Sequence, residues 1–138
     1  MKKRVIKAVG VVVVDKNKKI LIAKRKPDKP MPNKWEFPGG KLEENETLQE
    51  CGIREIQEEL NLDIVIDEYL GYENLEYASK SFCLHIYTAY KIKEEQKLEL
   101  NEHTDYAWVE FSELVNYDFP AINLACLRNL ESLLKKIT

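Results

Sequence analysis

Two rhythms of apolar residues divide this chain into elements. Val5 to Val14 is a long β-branched run, and Asp15-Lys16-Asn17-Lys18 is a turn before a second strand at Ile20 to Ala23. Arg25 to Lys34 is rich in proline and basic residues and reads as a loop. Three later segments read as strands: Ile64 to Tyr72, Ser81 to Lys91 and Tyr106 to Phe111. The second of these alternates apolar positions at Phe82, Leu84, Ile86 and Tyr90. Glu94 to Asn101 is polar and reads as a turn with a short strand. Helical spacing governs two stretches. In Ala121 to Ile137 it groups Ile122, Ala125, Cys126, Leu130, Leu133 and Leu134, and the other stretch runs from Thr47 to Leu60. Strands, a helix, more strands and a closing helix predict an α/β (α+β) sandwich with helices packed on a mixed sheet. At 138 residues, with no repeat or linker, the chain reads as one domain over 1–138.

The helix at 47–60 has clear punctuation. Thr47 followed by Glu50 is a capping-box pattern, and Asn61 suits the left-handed residue that ends a helix. At roughly 100° per residue, Glu55, Glu58 and Glu59 fall within about one third of the circumference, while Ile53, Ile56 and Leu60 point to another sector that can pack on a sheet. Three carboxylates so close repel one another unless cations join them. Hard oxygen ligands converging from one helix suit Mg²⁺ or Mn²⁺, which also bridge phosphates. Arg54, four residues before Glu58, is placed to hold that carboxylate. Pro38-Gly39-Gly40 offers a backbone that a metal or phosphate can approach closely.

Composition narrows the classes. Twenty-one basic against 24 acidic residues leave a net charge of −3, a mixed surface that does not predict a nucleic-acid groove. No apolar run reaches the length of a membrane span, and Met1-Lys2-Lys3-Arg4 lacks a following signal-peptide pattern, so a cytoplasmic protein is expected. Cys51, Cys83 and Cys126 are far apart in amphipathic segments and read as reduced core or near-core residues, not zinc ligands.

Gly40, five residues, Glu46, seven residues, then Arg54-Glu55-Ile56-x-Glu58-Glu59 is a densely specified pattern. It resembles the Nudix box, the signature of enzymes that split a nucleoside diphosphate linked to another group, with Asn61 where the family usually has Gly. The resemblance implies an α/β/α sandwich, and catalytic roles for Arg54, Glu55, Glu58 and Glu59. It also implies Mg²⁺, with Mn²⁺ as a substitute, held by the Gly39 carbonyl, Glu55, Glu58, Glu59 and Glu102. Glu55 is the favoured general base, with Glu102 and Glu58 as alternatives.

Outside the box the chain resembles the MutT branch, whose members remove oxidised guanine nucleotides from the precursor pool. Asn33-Lys34-Trp35-Glu36-Phe37-Pro38-Gly39-Gly40-Lys41 looks like that branch's approach to the box, and Lys24-Arg25 matches a basic pair upstream of it. Asp118-Phe119-Pro120-Ala121-Ile122-Asn123 is similar to a segment whose Asn reads the base. Arg25, Phe37 and Asn123 are therefore the candidate substrate-binding residues. An Asn amide suits this task because it offers both a donor and an acceptor. Trp35, Trp108 and His85 read as packing residues, and His103 as exposed.

The implied reaction releases a nucleoside monophosphate and pyrophosphate from 8-oxo-dGTP. The alternative substrate is (d)CTP or another pyrimidine nucleotide. Hydrolysis of ADP-ribose or dinucleotides and a non-catalytic nucleotide sensor are the more distant readings. The expected partner is a small nucleotide, with neither nucleic acid nor membrane, and the expected state is a monomer or homodimer.

Overall fold

A computed structural model of the chain describes residues 4–119 and 124–136. Strand β1 (Val5–Val13) is followed by β2 (Ile20–Arg25), the short strands β3 (Trp35–Glu36) and β4 (Gly39–Lys41), and helix α1 (Leu48–Leu60). Next come β5 (Ile64–Tyr77), β6 (Lys80–Lys91) and β7 (His103–Val109), a 3₁₀ segment at Phe111–Asn116, and helix α2 (Leu124–Lys136). The strands form a four-stranded mixed sheet in the order β4-β1-β6-β5 and a three-stranded sheet in the order β3-β2-β7. In the mixed sheet β1 lies parallel to β6, with Val9 opposite His85, and antiparallel to β4. The second sheet is antiparallel throughout.

Alternation along β1 decides the layers. Val9, Val11 and Val13 face one side and pack with Cys51, Ile56 and Leu60 of α1. Val12 faces the other side, where Ile20, Ile22, Leu70 and Ile86 meet Cys126, Leu130 and Leu134 of α2. A strand buried on both faces must be apolar at nearly every position, which is why β1 carries no polar side chain over its buried stretch, Ala8 to Val13. Helices on opposite faces of the strands make the expected α/β/α sandwich.

Several boundaries differ from the sequence reading. Ile53 of α1 is 41% exposed, so the helix rests on the sheet through Cys51, Ile56 and Leu60 instead. Phe111 begins the 3₁₀ segment, because β7 ends at Val109. No short strand forms in 94–101. There Glu99 N–H donates to Leu60 O at 2.9 Å, and Asn101 N–H donates to Glu59 O at 3.0 Å. Asn101 Nδ2 donates to Glu58 O at 2.9 Å. These bonds satisfy carbonyls that the last turn of a helix leaves without partners. The loop is a clamp on the end of α1, and it sets β7 beside Glu58 and Glu59.

The β5–β6 hairpin runs further than expected, closing at Tyr77 opposite Lys80. Its turn residues Ala78 and Ser79 have φ of 52° and 64°, the left-handed pair that a two-residue type I′ turn requires. Among the described residues no helix is long and apolar enough to cross a membrane. Burial pushes the Cys51 thiol up to about 12 and raises that of Cys126, and all three cysteines are free.

Candidate active site

Helix α1 begins as its sequence dictates. Thr47 accepts from Glu50 N–H at 3.1 Å, Glu50 accepts from Thr47 N–H at 2.9 Å, and Asn61 ends the helix at φ 55°. These caps fix which residues point toward β4. The first is Glu55, which lies directly over Gly40: a Cβ added at Gly40 would stand 2.4 Å from the Glu55 carboxyl carbon. At Gly39 an added Cβ would stand 1.8 Å from Val9 O. The paired glycines therefore let β4 approach both β1 and α1 at once.

Arg54 organises the start of this edge. Its Nε and Nη2 donate to Glu46 at 2.6 and 3.0 Å, and Nη1 donates to Glu55 at 2.8 Å and Glu58 at 3.2 Å. The two-pronged contact with Glu46 means that Glu58, the partner expected from the i, i+4 spacing, receives only one of several bonds. Arg54's hydrogen bonds, with that from Glu43 N–H, hold the Glu46 carboxyl down at about 2. Glu58 itself is 57% exposed.

Glu59 lies deepest. Its Oε2 is buried with no hydrogen-bond partner among the described residues. Burial pushes its carboxyl up to about 9, and the charges of Glu36 and Glu55 add to the shift. Ligand atoms of Glu36, Glu59 and His103 lie within 4.8 Å of one another. A cavity of about 150 Å³ opens here, lined by Arg25, Lys29, Glu36, Glu59, Glu102 and His103. Glu102 is at its mouth, half exposed and 4.0 Å from Lys29 Nζ. A buried carboxyl with a bare oxygen among further carboxylates is strongly disfavoured as an anion alone, and a hard divalent cation would satisfy it. The carboxylates of the cleft thus fit a hard divalent cation.

A larger, mainly apolar cavity of about 420 Å³ adjoins the acidic cleft, a volume within the range of small-molecule sites. Phe37, Phe82, Leu84 and Phe119 form much of its wall, with Phe37 and Phe119 ring centroids 5.4 Å apart. Leu75, Ala78 and Lys80 of the extended hairpin contribute another side. Arg25 lines both spaces, donating from Nε to Pro30 O at 2.7 Å and from Nη1 to Glu36 at 2.8 Å.

The NUDIX domain family is matched over residues 5–130. The chain belongs to the NUDIX family. Among its NUDIX relatives, the 8-oxo-dGTP diphosphatase of Proteus vulgaris is 42% identical over 64 residues, which span 46% of this chain and 57% of that protein. The CTP pyrophosphohydrolase of Escherichia coli (strain K12) is 27% identical over 120 residues, covering 86% of this chain and 87% of that one. The solution structure of the DNA mismatch repair protein MutT from methicillin-resistant Staphylococcus aureus 252 superposes with a TM-score of 0.68. It is 31% identical, over 98% of this chain and 99% of that chain.

Of the residues expected at the site, Glu59 and Glu102 line the acidic cleft and Arg25 and Phe37 the apolar cavity, while Arg54, Glu55 and Glu58 are joined to one another by hydrogen bonds on α1. Asn123 lies outside the described residues. His103 is a correction. Expected to be exposed, its side chain is 2% exposed, with Nε2 2.8 Å from Glu36 and 3.9 Å from Glu59. Glu36 also lines the cleft. Its one visible signal is a charged residue set between two aromatic ones, Trp35 and Phe37. Trp35 is a packing residue as expected, its ring meeting Tyr117 edge-on at 4.9 Å.

Proposed function

We propose that this NUDIX hydrolase cleaves a nucleoside triphosphate to the monophosphate and pyrophosphate, with 8-oxo-dGTP as the preferred substrate. One observation carries the reading: the acidic cleft opens beside an apolar cavity, and Arg25 belongs to the walls of both. A triphosphate with an aromatic base has the matching polarity. Its base enters among Phe37, Phe82 and Phe119, and Arg25 meets phosphate at the junction. Asn123 is assigned to the base edge, where its amide gives one donor and one acceptor.

Glu59 and Glu55, with Glu58, Glu102 and the Gly39 carbonyl, are the proposed ligands of Mg²⁺, which Mn²⁺ can replace. When bound, the ion supplies neutralisation of the triphosphate charge and a lower pKa for the attacking water. Glu55 is assigned the role of general base, because Gly40 beneath it and Arg54 beside it leave its carboxylate little freedom. Arg54 keeps that carboxylate oriented without itself reaching substrate. Lys29, at the mouth, adds positive charge where phosphate would enter.

The test is kcat/KM for 8-oxo-dGTP, dGTP, dCTP and CTP with Mg²⁺, followed by pyrophosphate release. A preference for 8-oxo-dGTP over dGTP of about 100-fold or more is expected from a site that hydrogen-bonds the altered base edge. The second reading, a pyrimidine nucleotide pyrophosphatase, is favoured by the match over 86% of the chain to the Escherichia coli CTP enzyme. Faster cleavage of CTP or dCTP would replace the first reading with it.

A further inference from the structure

His103 and Glu36 are not part of the box, yet they join the parts of the site that come from different layers. Glu36 stands on β3, Arg25 at the end of β2 and His103 at the start of β7, side by side in the three-stranded sheet. Glu59 stands on α1, which packs on the other sheet. Glu36 has two engaged oxygens: Oε1 accepts from Arg25 at 2.8 Å, and Oε2 is 2.8 Å from His103 Nε2. A carboxylate has no proton to give, so Nε2–H is the donor in that contact. The same ring nitrogen is 3.9 Å from Glu59 Oε1. A row of contacts thus runs from the arginine of the nucleotide cavity to the most buried carboxyl of the acidic cleft.

The imidazole could instead be read as a metal ligand. The geometry argues against ligation through Nε2, the nitrogen that faces Glu36 and Glu59. A ligand nitrogen at Nε2 places the ring proton on Nδ1, and ligating histidines give that proton to an acceptor. Here Nδ1 is buried with no partner among the described residues. With the proton on Nε2, Nδ1 is a bare acceptor and no buried N–H is left unmet.

We propose that His103 and Glu36 are positioning residues: the Nε2–H of His103 fixes the Glu36 carboxylate, which in turn fixes Arg25 relative to Glu59. The proposal rests on the reading of the cleft as a site of triphosphate hydrolysis. In that reading, Arg25 and Glu59 grip opposite parts of one substrate, and their separation must be held to within a fraction of an ångström. Without the bond, Glu36 swings, and Arg25 still attracts phosphate but no longer in one place. The loss falls on kcat more than on KM.

The experiment compares His103→Gln, His103→Asn and His103→Leu on the substrate with the highest kcat/KM of the four triphosphates. A Gln amide nitrogen reaches about where Nε2 lies, an Asn amide nitrogen only where Nδ1 lies, and Leu fills the space without a donor. Expected are kcat within about 3-fold of wild type for Gln, and a loss of about 100-fold for Asn and Leu with KM little changed. Glu36→Gln, which offers one acceptor where two are used, should lose kcat like Leu. Equal losses in H103Q and H103L, with wild-type turnover intact, would overturn the positioning role and leave the proposed hydrolysis standing. A wild-type protein that cleaves none of the four would sink both. A second measurement is made without substrate: pulsed EPR of Mn²⁺ bound to the protein. Nitrogen coupling that disappears in H103Q would make the imidazole a ligand and also overturn the proposal; the absence of nitrogen coupling in the wild type supports it.

Discussion

Glu59 concentrates the conflict between stability and function. Its neighbours Glu36 and Glu55 and its burial all oppose ionisation, so the metal-free fold keeps the proton up to about pH 9. An unfolded Glu releases its proton near pH 4.3. The folded pKa is the higher one, so the stability linked to it is full below the unfolded value and is lost as pH rises toward 9. In EDTA, the stability of the wild type should therefore fall between pH 5 and pH 9 more steeply than that of Glu59→Gln, by up to ~1.4 kcal/mol per pH unit. Thermal melts at a series of pH values check this. Parallel curves would mean that Glu59 is ionised in the metal-free protein. The same variant should have lost turnover with Mg²⁺. At this scale the box was legible because Arg54, Glu55, Glu58 and Glu59 share one helix and Gly40 and Glu46 stand at fixed short distances before it. Glu36 and His103 were not, because their partners are 67 residues apart in the chain. No periodicity announces such a pair.

At the scale of elements, α1 is held at its two ends by different means. The capping box at Thr47 and Glu50 is written in the sequence and acts within one turn. The far end is held by a loop arriving from residues 99–101, after two long strands have intervened. Thr47→Ala should cost about 1 kcal/mol of stability and leave kcat unchanged. Asn101→Ala removes the bond to Glu58 O, which should cost about 1 kcal/mol as well, but it also loosens Glu102 and His103 from the helix. Its kcat should drop about 10-fold or more. Chemical denaturation with paired rate measurements separates the two, and equal kcat values would show that the clamp serves stability alone. The extended hairpin was partly hidden for a local reason. Ala78-Ser79 lacks the Asn-Gly or Asp-Gly signature of a type I′ turn, and Glu73 to Tyr77 lacks a clean alternation. Pairing with β6 along the full strand imposes the conformation that these residues do not declare.

The whole molecule depends on the spacing of its layers. Gly52 of α1 faces the sheet so closely that an added Cβ would stand 3.1 Å from Val11 Cγ2 and 3.3 Å from Ile66 Cδ1. Gly52→Val should lift the helix from the sheet and carry Glu55, Glu58 and Glu59 with it. A stability loss of roughly 1–3 kcal/mol is expected from overpacking, together with a weaker dependence of melting temperature on added Mg²⁺. Wild-type response to Mg²⁺ in this variant would show that the helix can move without displacing the site. The sequence by itself determined the secondary-structure rhythm, the caps of α1 and the grouping of its carboxylates. All of these are set by neighbours within a few residues. Only the tertiary structure decided that Glu59 is the buried carboxyl and Glu58 the exposed one, and that His103 is covered. It alone decided that Phe37 and Phe119 share a cavity with Arg25. Burial and polar pairing between layers depend on how α1, the β5–β6 hairpin and the smaller sheet pack together, and no short window of sequence contains all three.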